Sequence, residues 1–228
     1  MRRQFSKIAF VAGFGLALAF TFSCSSRDDG GGPTPSSSPS TGISSSSKTP
    51  ASSSSRGNGG SDVVGRTVQI GNQTWMAENL NDDVSGSVCY DNDPANCSKY
   101  GRLYDWETAK TVCPSGWHLP SNAEWSALIS YVENDKGCSS CAGKYLKATT
   151  GWLNDGNSTD DYDFSALPGG FGYSSGNFRF VGNGGYWWTA TENGAIVAYY
   201  RYMSYSNAIV SSDYYDKTDL YSVRCLQD

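Results

Sequence analysis

Residues 113–125 constrain the fold more than any other stretch, because they combine a sharp turn with a well-marked helix start. They read Cys-Pro-Ser-Gly-Trp-His-Leu-Pro-Ser-Asn-Ala-Glu-Trp. Pro114 and Gly116 interrupt whatever precedes them, while Ser121 and Glu124 have the spacing of a capping box. Behind the cap, apolar side chains recur at helical spacing: Trp125, Leu128, Ile129 and Val132. The stretch therefore predicts an amphipathic helix that begins after Ser121 and reaches residue 131 or 132.

Residues 1–23 have the composition of an export signal. Basic side chains come first, and the apolar run that follows, residues 8–22, is too short for a comfortable membrane span. Cys24 follows the small residue Ser23, which resembles a lipoprotein cleavage site at which Cys24 becomes the lipidated N-terminus. The alternative is an ordinary secretory signal followed by an unpaired cysteine. The lipoprotein interpretation predicts a lipid-anchored protein of the outer membrane, at the cell surface.

Residues 24–62 predict a disordered tether. They are almost entirely Ser, Pro, Thr and Gly, with little apolar surface to bury. A flexible chain of this length spans on the order of 35 Å. With a lipid at one end and a folded domain at the other, the segment predicts a display stalk.

Residues 63–228 predict one irregular α+β domain. A glycine-asparagine pair separates residues 67–70 from residues 73–76, which is typical of a two-residue β-hairpin. Asp105 predicts the cap of a short helix with one buried side: Trp106, Ala109 and Cys113. Further short strands, rich in aromatic residues, are predicted near residues 186–191 and 196–205. Two short helices, short antiparallel strands and long loops place the domain in the α+β class.

The charge balance restricts the partners. The formal net charge is −5 at pH 7, and the chain has no basic patch outside its N-terminus. Such a domain is not expected to bind nucleic acid or an anionic membrane surface. Contact with the membrane is therefore expected through the N-terminal lipid.

Several sequence blocks, in order along the chain, resemble the Fibrobacter succinogenes major paralogous domain family. The blocks are Val-Gln-Ile-Gly-Asn-Gln-Thr-Trp-Met-Ala-Glu-Asn-Leu at 68–80, Tyr-Gly-Arg-Leu-Tyr-Asp-Trp at 100–106, the stretch 113–125, Phe-Ser-Ala-Leu-Pro-Gly-Gly at 164–170, Tyr-Trp-Trp-Thr-Ala-Thr-Glu at 186–192 and Ser-Val-Arg-Cys at 222–225. This resemblance implies a location and a shape, and no established reaction. At a greater distance the chain is similar to C-type-lectin-like and sulfatase-modifying-factor-like (formylglycine-generating) folds, which implies an irregular domain of that shape.

The cysteines predict a set of disulfides. The chain has 7 cysteines, and those other than the predicted lipidation site are expected to pair in an exported protein. Local spacing favours Cys89 with Cys97 around an Asp-Asn-Asp-Pro turn. The resemblance to C-type-lectin-like domains implies Cys113 with Cys225.

Two features invite a catalytic interpretation. Cys138 and Cys141, the cysteines left over, form a Cys-x-x-Cys pair for which a structural bridge is favoured, with a redox pair and a zinc site as alternatives; one pair supplies too few ligands for zinc. His118 is the only histidine, and no Gly-x-Ser-x-Gly elbow is present to form a triad with it. Cys225 stands alone, without the reactive cysteine pair of formylglycine-generating enzymes. The sequence therefore predicts a protein that is not an enzyme.

An acidic loop is the one candidate cofactor site. Oxygen-bearing side chains alternate along it: Asp155, Asn157, Thr159, Asp161 and Asp163. The alternation is similar to a calcium loop, but the glycine is misplaced and no bidentate glutamate follows. A solvated acidic loop is favoured, with calcium as the alternative, and no other cofactor is expected.

The aromatic residues of the C-terminal third are the candidate binding residues. Trp187 and Trp188 are adjacent, so on a strand only one of them is expected to face the core. Tyr199, Tyr200 and Tyr202 follow, and alternation would again turn some outward. Exposed rings suit stacking on sugars or burial against a protein, whereas the alternative is that these rings fill the core.

Together these features predict a cell-surface lipoprotein that displays a non-catalytic binding or adhesion module. Its expected ligand is a polysaccharide or an extracellular protein. Two alternatives remain open at the level of sequence. One is an extracytoplasmic enzyme distantly related to formylglycine-generating enzymes, and the other is a structural envelope protein with no specific ligand.

Overall fold

The computed structural model describes residues 65–228. The predicted signal peptide, Cys24 and the predicted tether therefore lie outside the described residues. The helices are α1 (Pro94–Tyr100), α2 (Trp106–Ala109), α3 (Asn122–Lys136) and α4 (Ala142–Leu146). None of these helices is both long and apolar enough to span a bilayer.

The strands form a small sheet and a large one. In chain order they are β1 (Thr67–Ile70), β2 (Gln73–Met76), β3 (Ser87–Val88), β4 (Leu103–Tyr104), β5 (Trp117–His118), β6 (Gly169–Gly172), β7 (Phe178–Val181), β8 (Gly184–Glu192), β9 (Val197–Ser204), β10 (Val210–Asp216), β11 (Tyr221–Ser222) and β12 (Leu226–Gln227). The small sheet has the order β1-β2-β12-β5, and the large one has the order β10-β9-β8-β11-β4-β3, with β6 beside β8 and β7 beside β6. The α+β class is confirmed.

The predicted hairpin and the predicted capping box are both present. Ile70 pairs with Gln73 across the turn, and Gly71 takes the positive φ of 63° that this turn requires. Ser121 accepts a hydrogen bond from the backbone N–H of Glu124, whose carboxylate in turn accepts from the Ser121 N–H at 2.7 Å. The helix runs past the predicted end to Lys136, because the next residue that can stop it is Gly137, with φ 62°.

The prediction of two helices is wrong, because α1 and α4 were missed. Asp93 caps α1 by accepting from the Ala95 N–H at 2.9 Å, and Pro94 occupies the first turn. The helix predicted after Asp105 is shorter than expected. It ends at Ala109, so Cys113 lies beyond the helix in the turn that contains Pro114.

The three predicted cysteine pairs are all close in the structure. The Cα–Cα distances are 4.9 Å for Cys89–Cys97, 5.9 Å for Cys113–Cys225 and 6.1 Å for Cys138–Cys141. Cys113–Cys225 connects the segment after α2 to the segment before β12.

The prediction that one of the two adjacent tryptophans faces outward is wrong. Trp187 and Trp188 point to opposite sides of β8, as alternation requires, yet both are fully buried. Trp187 packs against Trp125 of α3, with ring centroids 6.0 Å apart. Trp188 packs against Tyr221, at 4.3 Å. The sheet is covered on both sides at this point, so neither ring is free to contact a ligand.

Candidate functional site

One side of strands β8, β9 and β10 carries a continuous layer of aromatic rings, joined by rings of β6, β7 and β11. We call this layer the aromatic face. Its members are Phe171, Tyr173, Phe180, Tyr186, Tyr200, Tyr202, Tyr215 and Tyr221. Tyr186 lies opposite Tyr202 in the β8–β9 register, and Trp188 lies opposite Tyr200, which places these four rings on the same side of the sheet.

The aromatic face has a buried floor and an accessible outer layer. Phe171, Tyr200 and Tyr221 are buried and form the floor. Phe180 and Tyr215 are 50% and 46% exposed. The remaining rings are half-buried: Tyr173, Tyr186 and Tyr202. The result is a concentration of accessible rings on a rigid sheet, an arrangement common at binding surfaces.

Tyr186 lies at the centre of this layer, and a glycine makes room for it. A Cβ atom added to Gly184 would lie 2.7 Å from the ring of Tyr186, so only glycine lets the ring lie against the strand. The rings of Tyr186 and Tyr202 are nearly parallel, with an interplanar angle of 16° and centroids 5.9 Å apart. The two tyrosines therefore form a pair of similarly oriented rings.

Phe180 occupies a strained position at the edge of the aromatic face. Its φ of 66° lies in the left-handed region, which is unusual for a bulky residue. Its ring nevertheless contacts Phe171, at a centroid distance of 5.8 Å, while half of the side chain stays exposed. Strain of this kind is concentrated at functional sites.

Burial keeps the hydroxyls of Tyr186 and Tyr200 neutral. Burial, helped by nearby Tyr202 and Tyr173, raises the pKa of Tyr186 to about 12. Burial also raises the pKa of Tyr200, with the Asp213 carboxylate acting in the same direction. Within residues 65–228 the hydroxyls of Tyr186, Tyr200 and Tyr202 form no hydrogen bond with protein. They are available to donate to or accept from a ligand.

Of the five candidate binding residues predicted from sequence, the structure places two in the aromatic face. These are Tyr200 and Tyr202, and the two tryptophans are buried. Tyr199 points to the other side of β9, where its ring lies 6.0 Å from that of Tyr214. Sequence reasoning missed Tyr186, although the two glycines before it are the signal of a ring that lies against its own strand.

A polar groove lies elsewhere on the domain. Two adjoining cavities of about 400 and 340 Å³ have four lining residues in common: Arg66, Glu78, Asn79 and Asn81. The groove contains both signs of charge, and Arg66 donates a hydrogen bond to the Ser165 hydroxyl at 3.3 Å.

Arg224 lies buried beside Asn79 and connects segments of the chain that are distant in the sequence. Its guanidinium donates to the Asn79 side-chain oxygen at 2.8 and 3.2 Å and to the carbonyl of Phe164, and it lies 4.3 Å from the Phe164 ring centroid. The same Asn79 oxygen accepts from the Trp187 ring N–H at 2.8 Å. Complete burial lowers the pKa of Arg224 to about 9. These side chains are structural, because they bond each other and leave no free group for a ligand.

His118 is held between two carboxylates. Its Nδ1 lies 2.7 Å from Asp228 Oδ1, and its Nε2 lies 3.0 Å from Glu124 Oε1. Burial lowers the pKa of His118, but the hydrogen bonds to Asp228 and Glu124 outweigh burial and raise it overall. The Ser121 hydroxyl donates to Glu124 at 2.8 Å and not to the imidazole, whose two ring nitrogens both contact carboxylates.

The acidic loop does not gather its side chains around one point. Asn157 accepts from the Trp152 N–H at 2.9 Å, and Asp161 pairs with Lys136 at 2.9 Å. Asp155 and Asp163 do not join them: among the described residues, no three His, Cys, Asp or Glu side chains are arranged to hold a metal ion. Cys138 and Cys141 likewise belong to no such group among the described residues.

Comparison with known proteins identifies the family. No curated protein and no solved structure matches the chain. A protein-family model described as the Fibrobacter succinogenes major domain matches residues 68–227. That interval contains the four helices, the whole aromatic face and both sheets apart from Thr67, the first residue of β1, and the chain therefore belongs to the Fibrobacter succinogenes major domain family.

Proposed function

We propose that this protein is a cell-surface lipoprotein whose folded domain is a non-catalytic module that binds polysaccharide. The observation that carries the proposal is the aromatic face, where accessible rings and unpaired hydroxyls share one rigid surface. Sugar rings present C–H groups that stack on aromatic rings and hydroxyls that hydrogen-bond beside them. An extracellular protein is the other ligand that such a surface suits.

The proposed fold is that of a C-type-lectin-like domain. The disulfide Cys113–Cys225 and the pairing of β12 with β2 and β5 support it, because they bring the beginning and the end of the domain together. The sugar-binding calcium motifs of C-type lectins are absent from the sequence. The proposed ligand contact therefore uses rings instead of calcium.

A catalytic function is the less favoured proposal. An enzyme related to formylglycine-generating enzymes would need a reactive cysteine, yet the cysteines of residues 65–228 are paired. A histidine-based mechanism would need a nucleophile beside His118, where both ring nitrogens contact carboxylates instead.

The location is tested at Cys24, outside the described residues. We expect the wild-type chain to incorporate a fatty-acid probe and to fractionate with the outer membrane, and Cys24→Ser to lose both properties, because one thiol carries the lipid. Protease added to intact cells should remove the wild-type domain. A wild-type chain that takes up no fatty acid would refute the lipoprotein proposal.

The binding surface is tested with the full chain purified in detergent. We expect Tyr186→Ala and Tyr202→Ala to reduce retention on insoluble polysaccharide by tenfold or more, since rigid aromatic contacts dominate binding energies. Tyr214→Ala is the matched control, because Tyr214 is 50% exposed and faces the other side of the sheet. Equal retention of all three variants, with wild-type binding intact, would place the ligand elsewhere on the domain.

A further inference from the structure

We propose, on the basis of the function proposed above, that the aromatic face selects uncharged glycans and rejects acidic ones, and that Asp213 is the residue that makes this selection. This selectivity follows from the charges that surround the rings.

Asp213 lies on the aromatic face itself. It is directly opposite Tyr200 in the β9–β10 register, so both side chains project from the same side of the sheet. It is exposed, and one of its oxygens accepts from the neighbouring Tyr214 N–H at 2.8 Å. Within residues 65–228 it forms no ion pair. Its negative charge is therefore presented to any ligand that lies across Tyr200 and Tyr202.

A second carboxyl, that of Asp219, lies at the edge of the layer, and burial raises its pKa and so favours its neutral form. Asp219 is only 3% exposed, and its Oδ1 accepts from the Ser174 N–H at 3.1 Å. Its Oδ2 is buried and has no hydrogen-bond partner among the described residues. Asp213 is therefore the carboxylate that presents negative charge over the rings.

Within residues 65–228, no lysine or arginine group lies over a ring of the aromatic face. In the described part of the chain, lysine and arginine groups lie over aromatic rings at seven side chains: Tyr100, Trp106, Tyr145, Trp152, Tyr162, Phe164 and Trp187. None of these rings belongs to the aromatic face. A glycan carboxylate or sulfate that lies across Tyr200 would therefore meet the Asp213 carboxylate with no cation over the rings to offset it, whereas a neutral sugar would meet rings and hydroxyls.

The test uses one polymer in two charge states. Polygalacturonate and its methyl ester share a backbone, and microcrystalline cellulose serves as a second uncharged probe. The full chain in detergent at low ionic strength should bind cellulose or the methyl ester. It should bind polygalacturonate roughly fivefold more weakly, because one exposed like charge a few ångströms away has an effect of about this size. Salt at about 1 M should abolish the difference, because it screens exposed charges.

Asp213→Asn should remove the discrimination at low salt by raising the retention of polygalacturonate to that of its methyl ester. Asp82→Asn is the matched control, because Asp82 is an exposed carboxylate that lines the polar groove, and it should leave the discrimination unchanged. Retention of neither uncharged probe would contradict the proposed polysaccharide function itself. Equal binding of acid and ester by the wild-type chain, or discrimination that persists in Asp213→Asn, would overturn this inference while leaving the proposed function in place.

Discussion

The substitution Asn79→Ala should be among the most destabilising single changes in the domain. Asn79 is 8% exposed, and its side-chain oxygen accepts from Arg224 and Trp187 while its N–H group donates to the Tyr100 carbonyl at 2.8 Å and to Ser222. Alanine keeps the backbone but removes all of these partners at once. The guanidinium of Arg224 would then remain buried with its charge and with only carbonyl oxygens as acceptors.

The expected magnitude follows from the bonds that are lost. A hydrogen bond to a charged group contributes about 1.5–3 kcal/mol, and a buried donor left without a partner costs about 1–3 kcal/mol. Asn79 supplies two bonds to Arg224 and one to Trp187. Since these terms overlap, we expect the free energy of unfolding to fall by about 3–5 kcal/mol, the range seen when one partner of a buried charged pair is removed.

Urea denaturation with the disulfides intact measures this loss. Asn81→Ala is the control, because Asn81 is exposed in the same segment, and it should change stability by no more than about 0.5 kcal/mol. Adding Arg224→Met to Asn79→Ala should cost much less than the sum of the two single changes, since the second removes the charge that the first leaves unpaired. A loss below about 1 kcal/mol for Asn79→Ala would show that water or a rearranged side chain replaces the amide, and would contradict the stabilising role assigned to Asn79.

Two further predictions concern stability. Replacing Cys113 and Cys225 by alanine should lower the free energy of unfolding by about 4–5 kcal/mol, because the bridge closes a sequence separation of 112 residues. Removing the Cys138–Cys141 bridge, with a separation of 3, should lower it by about 2 kcal/mol or less. Similar losses for the two bridges in denaturant titrations would contradict this expectation. His118 has a folded-state pKa above its ordinary 6.5, so its contribution is present below pH 6.5 and is lost as the pH rises through the folded value. Burial acts against ionised Glu124, but its bonds to Ser121 and His118 lower its pKa overall, so its contribution is present above pH 4.5 and is lost as the pH falls through the folded value. His118→Gln should flatten the alkaline arm of a stability-against-pH curve, and an unchanged arm would argue against this interaction.

The sequence predicts the local elements that carry their own signals. The β1–β2 turn and the α3 cap are encoded within a few residues, and both form as expected. The signals of α1 were present too, since Asp93 and Pro94 are a helix cap and a first helical residue, but the same letters also describe a turn. A helix of seven residues has too few positions to show a period. α4, with five residues and no side-chain cap, has no local signal at all.

The candidate site depends on contacts that the sequence does not display. Alternation along β8 correctly places Trp187 and Trp188 on opposite sides, but their burial is decided by α3 on one side and by β11 on the other. Both α3 and β11 are distant from β8 in the sequence, so the residues of β8 do not show what covers their rings. Tyr186 lies on the same side as Trp188 but stays half-buried, because the rings of β6, β7 and β9 that surround it leave part of it accessible. The pattern within one strand indicates to which side of the sheet each side chain points, whereas the packing of other elements determines how exposed that side chain is.

The position of β12 sets the order in which the domain can fold. This strand lies between β2 and β5, and Leu226 pairs with both Trp75 and His118. The sheet that begins with the β1–β2 hairpin therefore cannot be completed until β12 has been synthesised and has paired with β2. Such long-range pairing slows folding, because the loop must close before the contacts form. In the exported protein proposed above, this delay is an advantage, since a polypeptide that cannot finish folding early stays extended enough to thread through a translocation channel.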